Sequence, residues 1–492
     1  MRDVAEHAGL VVRLVGWMRM RSRHSANGII EEPMQIAPAG DRGLLVTLHD
    51  APAARLRVAA ELLRRIPPVE ACVIGHESVL VIGAGSWGPI REAIATAEEG
   101  AVSPARTHRI DVSFADEYAL DLPELLAKIG RSKSDFMQRL AGVRLSVRYL
   151  GFRAGFAYCD GWPREWQLPR RPTSRNRVAG GSFAIAGEMA GFYPDDSPGG
   201  WNILGRTGAA LWDPASEPPN LLMPGDAIEI VPNESSVVVS RADGEQSSAS
   251  GDVIAEVIKP GQLTTIVGAR DWSRAERGQT PGGPFDAQAA ALANRAAGNP
   301  DDAPLLECVL VGPQLRLKRR AAWCGADLRV RELKGEVDVG RFEGFRGYLA
   351  IEGGIGGSGV VKAGDLYASE RPATGNQQPA TKSRADRLVV GVKPGPHRTR
   401  VLPQSWTVTN QLDRVGIRLR PLHAIGAAPP ADLPSVGVQF GTLQWHPDGS
   451  VVAMGPDHPV TGGYLQPATV ISEDLWKLGQ LAPGERVTLL AV

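Results

Sequence analysis

The chain has 492 residues, enough for three to five domains at roughly 100–200 residues each. Its 54 lysines and arginines balance 54 aspartates and glutamates, so no global field draws it toward nucleic acid or an anionic membrane. No run of about 18 apolar residues is present to span a bilayer, while 57 glycines and 38 prolines point to many turns between short strands. The expected class is mainly β, with a small α+β domain at the N-terminal end.

Residues 1–33 mix Arg13, Arg19, Arg21 and Arg23 with Asp3 and Glu6 and lack a targeting pattern. They are expected to form a disordered extension, with Met34 an alternative start to Met1. Leu44–Leu48 then reads as a strand, Ala53–Arg65 as a helix and Glu77–Ile82 as a strand, giving an α+β unit over residues 34–118. Gly83, Gly85 and Gly88 follow in a Gly-x-Gly-x-x-Gly pattern. With no βαβ series after it and Pro89 at the next helix start, it is not read as a dinucleotide site.

Leu122, Leu125, Leu126 and Ile129 recur at helical spacing, and Val143–Pro232 alternates short strands with Gly and Pro turns. A β-barrel is expected over residues 119–240. Polar linkers are expected at 241–256 and 374–387, bounding further barrels at 257–373 and 388–492. The segments end alike: Pro224-Gly225-Asp226, Ala363-Gly364-Asp365 and Pro483-Gly484-Glu485 each place a turn and a carboxylate before a strand.

The chemistry concentrates at Ser197-Pro198-Gly199-Gly200-Trp201 and at Gly151-Phe152-Arg153-Ala154-Gly155-Phe156-Ala157-Tyr158. Paired glycines beside aromatic rings and arginines suit a small, oxygen-rich or anionic ligand. Arg170, Arg171, Arg175 and Arg206 are the candidate cations, and Gly180-Gly181-Ser182 with Gly199-Gly200 the candidate N–H donors. Gly155, Phe156, Tyr158, Tyr193 and Trp201 are expected to wall one cavity at the barrel mouth, with Ser197 beside them. Glu307 lies inside the apolar run Leu305–Val311, where a carboxylate needs a partner or a raised pKa. Cys72, Cys159, Cys308 and Cys324 lack the close pairing of zinc or dithiol sites, which suggests a reduced, cytoplasmic protein. The nine histidines show no ligand spacing, so no protein-made metal site is expected.

Gly40-Asp41-Arg42-Gly43-Leu44-Leu45-Val46, Leu150–Tyr158, Pro169-Arg170-Arg171-Pro172, Gly180-Gly181-Ser182 and Ser197–Thr207 occur in an order that resembles the allophanate hydrolase subunit 1 family. That family includes the B subunit of bacterial ATP-dependent 5-oxoprolinase and a sporulation kinase inhibitor. Pro260–Thr265, Asp286–Asn294, Gly298-Asn299-Pro300, Leu306-Glu307, Gly312-Pro313, Gly353-Gly354-Ile355, Pro394-Gly395-Pro396-His397 and Thr461-Gly462-Gly463-Tyr464 are similar to the companion subunit 2 family. The resemblance is to a fusion of the B and C subunits of 5-oxoprolinase, and to the carboxyltransferase part of urea carboxylase.

It implies tandem cyclophilin-like β-barrels, ATP with Mg²⁺, a small-molecule lactam substrate and a separate hydantoinase-like A subunit; a homo-oligomer is compatible with it. Arg170, Arg171, Arg206 and Glu307 become the catalytic candidates. Asp286, Asp413, Arg414, Thr461, Gly462, Gly463 and Tyr464 join the binding set by their place in matching motifs. Two alternatives stay open: a carboxyltransferase using biotin carried by another protein, and a non-catalytic inhibitor of a histidine kinase. Departures at Val267-Gly268, Gly282–Asp286 and Pro459–Leu465 remove polar side chains, which favours a diverged role for the second half.

Overall fold

The computed structural model describes residues 34–83, 89–90, 105–237, 253–357, 359–368, 387–397, 405–423 and 433–492. The expected extension at 1–33, residues 241–252 and 374–386 of the two linkers, and residues 84–88 of the glycine pattern lie outside them.

The N-terminal unit is a four-stranded sheet in the order Met34–Pro38, Gly43–Leu48, Ser78–Ile82, Ala71–Ile74. Helix Ala53–Arg64 covers one face, setting Leu56, Ala59, Ala60 and Leu63 against Val46, Val79 and Val81. Every pairing in this sheet is antiparallel. A dinucleotide fold needs a parallel crossover at this point, so the topology removes that reading of the glycine pattern.

Two seven-stranded closed barrels follow, one built from strands between Thr107 and Asn233 and the other from strands between Val389 and Ala491. Counted in chain order within each barrel, both close in the same ring: first, seventh, second, third, fifth, fourth, sixth. In both, the first and last strands run parallel. Each carries a two-stranded ribbon inserted at the same points of the ring: Arg175–Val178 with Ser197–Gly199 in the first, Val436–Gly437 with Thr461–Gly462 in the second. The Ser197-Pro198-Gly199-Gly200-Trp201 and Thr461-Gly462-Gly463-Tyr464 motifs are therefore equivalent parts of a repeated barrel.

Two boundaries move. Thr107–Ser113 pairs in parallel with Ala227–Asn233 along its whole length, so the first barrel begins near residue 107 rather than 119. A partner that distant in sequence leaves no local signal. The stretch expected as a barrel over 257–373 is instead two packed sheets, of four and six strands, and its first strand, Val253–Lys259, starts inside the expected linker. Its long strand Arg341–Ile351 is covered on one face by helix Ala287–Ala297, through Tyr348 and Ala350, and on the other by the four-stranded sheet, through Leu349 and Ile351. A helix on one face and a second sheet on the other make a layered module, and both sheets are open.

The three repeated turns share one construction. Gly225, Gly364 and Gly484 have φ of 90°, 87° and 84°. In each, the following carboxylate accepts from the backbone N–H three residues before it: Met223 to Asp226 at 3.0 Å, Lys362 to Asp365 at 2.7 Å and Ala482 to Glu485 at 2.9 Å. The helical stretch at Leu122–Leu140 is two helices, split by Gly130 at φ 64°.

The two halves meet through apolar and polar surface: Ala39, Leu45, Val73, Leu80 and Ile82 of the N-terminal unit pack with Ala275, Val436 and Val460 of the second half. Gln439, Thr442, Gln444, Gln466 and Thr469 are all at most 4% exposed on the second barrel. Gln439 donates to the Ala39 carbonyl, and the His76 N–H reaches the Ser435 carbonyl at 2.7 Å. Gly437 lies against Leu80, and Gly151 of the first barrel lies so close to Thr461 that a Cβ there would collide with its hydroxyl.

His458 is fully buried beside this contact, its Nδ1 3.0 Å from the Pro459 carbonyl. Burial, reinforced by Arg270, pushes its pKa down to about 4 from an ordinary 6.5. The unfolded chain binds a proton here that the native chain refuses, so this residue costs stability progressively as pH falls from about 6.5 to about 4. His458→Gln is expected to flatten that part of the curve of urea midpoint against pH. A curve parallel to that of the unmodified protein rejects this.

Candidate functional site

The first barrel's ribbon and its flanks form an arginine-rich mouth. Arg175 and Arg177, two apart on one strand, project to the same side. Together with Arg206 they line a cavity of about 220 Å³, with Tyr118, Ser182 and Glu117 completing its polar wall.

The three arginines differ in how they are held. Arg177 makes a two-pronged pair with Asp196, at 3.0 and 2.6 Å to one oxygen. Arg175 and Arg171 share Oδ1 of buried Asp121, at 2.7 and 2.8 Å, while Oδ2 accepts the Ile203 N–H at 2.7 Å. Arg206 donates Nε to the Gly180 carbonyl at 2.9 Å, and its guanidinium lies 5.7 Å from the Tyr118 ring centre. Among the described residues Arg206 has no carboxylate partner. Around the cavity, four guanidiniums thus stand against three carboxylates, a net excess of one positive charge, and Arg206 is the one whose guanidinium contacts no carboxylate among the described residues.

The expected site residues divide here. Arg171, Arg175, Ser182 and Arg206 come together at the mouth, and Arg171 also donates its N–H to the Gly200 carbonyl at 2.9 Å. Arg170 is exposed beside Gly200. Ser197 is buried in the ribbon, and its hydroxyl finds no partner among the described residues.

The aromatic wall is corrected. Phe156, Tyr193 and Trp201 are 1%, 2% and 9% exposed and pack with Tyr158 into a small core, ring centres 4.8–5.5 Å apart. The glycines make room for the protein's own side chains: a Cβ on Gly199 would meet the Tyr193 hydroxyl, one on Gly200 would meet Ser174 and Arg170, and one on Gly155 would meet Trp212. The expected N–H donors are also engaged. Gly180 donates to Asp196 at 2.9 Å, Gly181 to the Tyr193 carbonyl at 2.7 Å and Ser182 to the Ala179 carbonyl at 3.2 Å.

Glu307 occupies a closed ion-pair cluster instead of an open site. It is 2% exposed; Oε1 meets Arg414 at 2.7 Å and Arg346 at 3.5 Å, and Oε2 accepts from Tyr348 at 2.9 Å and the Phe285 N–H at 3.1 Å. Burial works against its charge, yet Arg414 and Arg346 outweigh it and hold the carboxyl below its ordinary range. With both oxygens engaged, it joins the layered module to the second barrel rather than meeting a substrate.

Others of the second-half set are structural as well. Asp286 caps helix Ala287–Ala297 through the Ala289 N–H at 3.0 Å, and Asp413 accepts the Val415 and Gly416 N–H groups of a strand turn. Arg414 also binds Asp457 at 2.7 and 2.9 Å. Thr461 packs against Gly151 of the first barrel, Gly462 and Gly463 pack against Gln444, Leu433 and Ser435 of the second half, and Tyr464 stacks on His446 with ring centres 4.0 Å apart. Sequence reasoning missed Tyr118, Asp121 and Arg177. Only Arg177 carried a signal, its strand spacing from Arg175.

With this geometry in view, the carboxyltransferase domain family matches both halves: subdomains C and D over residues 34–222, subdomains A and B over 277–342 and 334–491. The chain belongs to that family, with both subdomain pairs on one polypeptide. It is 36% identical over 141 residues to the 5-oxoprolinase B subunit of Escherichia coli O157:H7, covering 28% of this chain and 65% of that protein. It is 26% identical over 277 residues to the 5-oxoprolinase C subunit of Escherichia coli strain K12, covering 47% of this chain and 89% of that protein. The match to three B-subunit relatives spans 57–65% of their length. The crystal structure of TTHA0988 superposes with a TM-score of 0.79 at 29% identity, covering 91% of this chain and 99% of that one. The arrangement matches a fused pair of B and C subunits.

Proposed function

We propose that this protein is the joined B and C component of an ATP-dependent enzyme that opens the lactam 5-oxoproline to glutamate, working in the cytoplasm with a separate hydantoinase-like A subunit. The reading is carried by one observation: the segments similar to the B and to the C subunits follow each other on one chain and fold against each other. The chemistry is demanding. A lactam is a resonance-stabilised amide, and phosphorylating its oxygen from ATP makes it a good electrophile. The transferring phosphoryl spreads negative charge that cations must meet in a site sheltered from water. In this chain the arginine-lined mouth of the first barrel supplies positive charge held in fixed geometry for an anionic substrate, with Asp121 keeping Arg171 and Arg175 in place. ATP arrives with Mg²⁺, which its own phosphates largely hold.

The purified protein, mixed with its A partner and MgATP, is expected to release phosphate when 5-oxoproline is added and to remain near baseline with urea and a biotinylated carrier. Absence of lactam-dependent release from a folded, associated mixture rejects the proposal.

A further inference from the structure

Resting on that reading, we propose that the cavity at the first barrel's mouth is a site for a small monocarboxylate, holding the substrate's carboxylate on Arg206, and that it does not hold the nucleotide.

Size argues first. About 220 Å³ falls below the roughly 300–1,000 Å³ of pockets that enclose drug-sized ligands. A five-membered ring acid fills such a space, whereas a nucleoside triphosphate would extend well beyond it.

Charge argues next. Arg175 and Arg177 already have carboxylate partners, and Arg206 does not. The Gly180 carbonyl and the Tyr118 ring fix the guanidinium plane while Arg206's terminal nitrogens keep donor capacity. A planar guanidinium with free donors matches a carboxylate two-pronged. A second cavity, of about 430 Å³ between the N-terminal unit and the first barrel, has the opposite character. Asp50, Glu77, Asp160 and Glu188 line it with only Arg148 as cation, itself paired to Asp160 at 2.8 Å. A carboxylate is repelled there.

The repeat argues last, and it sets the stoichiometry. The equivalent ribbon of the second barrel, Val436–Gly437 with Thr461–Gly462, carries no arginine, and Leu80 and Gly151 cover it. Each chain should therefore bind one carboxylate.

Titration calorimetry on the full chain tests this. 5-Oxoproline is expected to bind at one site per chain. 2-Pyrrolidinone, which lacks the carboxylate, is expected to bind roughly ten- to a hundredfold more weakly, as is 5-oxoproline to Arg206→Gln, the loss of one charge-assisted pair. Arg316→Gln, which breaks an exposed pair with Glu256 in the layered module, is expected to leave binding unchanged. Circular dichroism and the melting point of Arg206→Gln establish that it is folded. Equal binding by Arg206→Gln, two sites per chain, or ATP displacing 5-oxoproline overturns the inference. Lactam-dependent phosphate release without dependence on Arg206 overturns it while the proposed function stands. Arg206-dependent binding of acetate and 5-oxoproline, with no lactam-dependent phosphate release, supports the inference and removes the proposed function.

Discussion

Glu307→Ala is expected to lower the protein's stability by about 3–5 kcal/mol, the cost of stranding a buried cation after removing its partner. Arg346 is 2% exposed and its guanidinium cannot recover hydration when the carboxylate is gone, whereas Arg414 keeps Asp457 as a partner. Arg346 is further committed, donating to the Gly479 carbonyl at 2.7 Å with its guanidinium 4.2 Å from the Phe285 ring centre. Glu307→Gln keeps the volume but not the charge, and it should lose nearly as much. The urea transition of the second half, followed by tryptophan fluorescence, reads both effects, since Trp406 and Trp445 lie in the barrel core joined by this cluster. A midpoint unchanged by either substitution shows that the cluster does not hold the module to the barrel.

The second large effect is at Asp121. One carboxylate there restrains two guanidiniums and a backbone N–H, so Asp121→Asn takes the charge out of three bonds and turns one acceptor oxygen into a donor amide. Arg171 and Arg175 have side chains 33% and 24% exposed, which lets water recover part of the loss. The expected destabilisation is about 2 kcal/mol, less than at Glu307. The same change leaves the cavity more positive, so carboxylate binding should tighten and fall more steeply with added salt. Loss of stability with weaker binding shows that Asp121 orders the arginines and that order outweighs charge. Unchanged stability and unchanged salt dependence reject the linkage between Asp121 and the site.

Much of the architecture was legible because its signals are local. The turns at Gly225, Gly364 and Gly484 announced themselves by residue type, and all three take the positive φ that glycine allows. Two of the four N-terminal strands and the helix appeared within a residue or two of their expected ends, while Met34–Pro38 and Ala71–Ile74 were not foreseen. What failed depended on distant partners. Nothing near Thr107–Ser113 indicates a parallel neighbour more than a hundred residues away, and nothing near Arg341–Ile351 indicates that both its faces are covered. The same limit governs the site. Gly199 and Gly200 were visible as places where something comes close, but residue type cannot say whether that is a ligand or Tyr193 and Arg170. Glu307 was correctly seen as a carboxylate in need of a partner. Its arginines sit 39 and 107 residues onward, at Arg346 and Arg414, and only folding brings them in.

The seam between the two halves sets buried amides and hydroxyls beside an apolar patch, and that mixture carries a consequence for how such a protein can be built. Two free subunits meeting there would first have to overcome the loss of tumbling and translation. Joined on one chain, they encounter each other at an effective concentration on the order of millimolar, and a contact of modest strength suffices. Gene fusion thus relaxes the demand for a tight seam, and the contact is free to be chosen for alignment instead of grip.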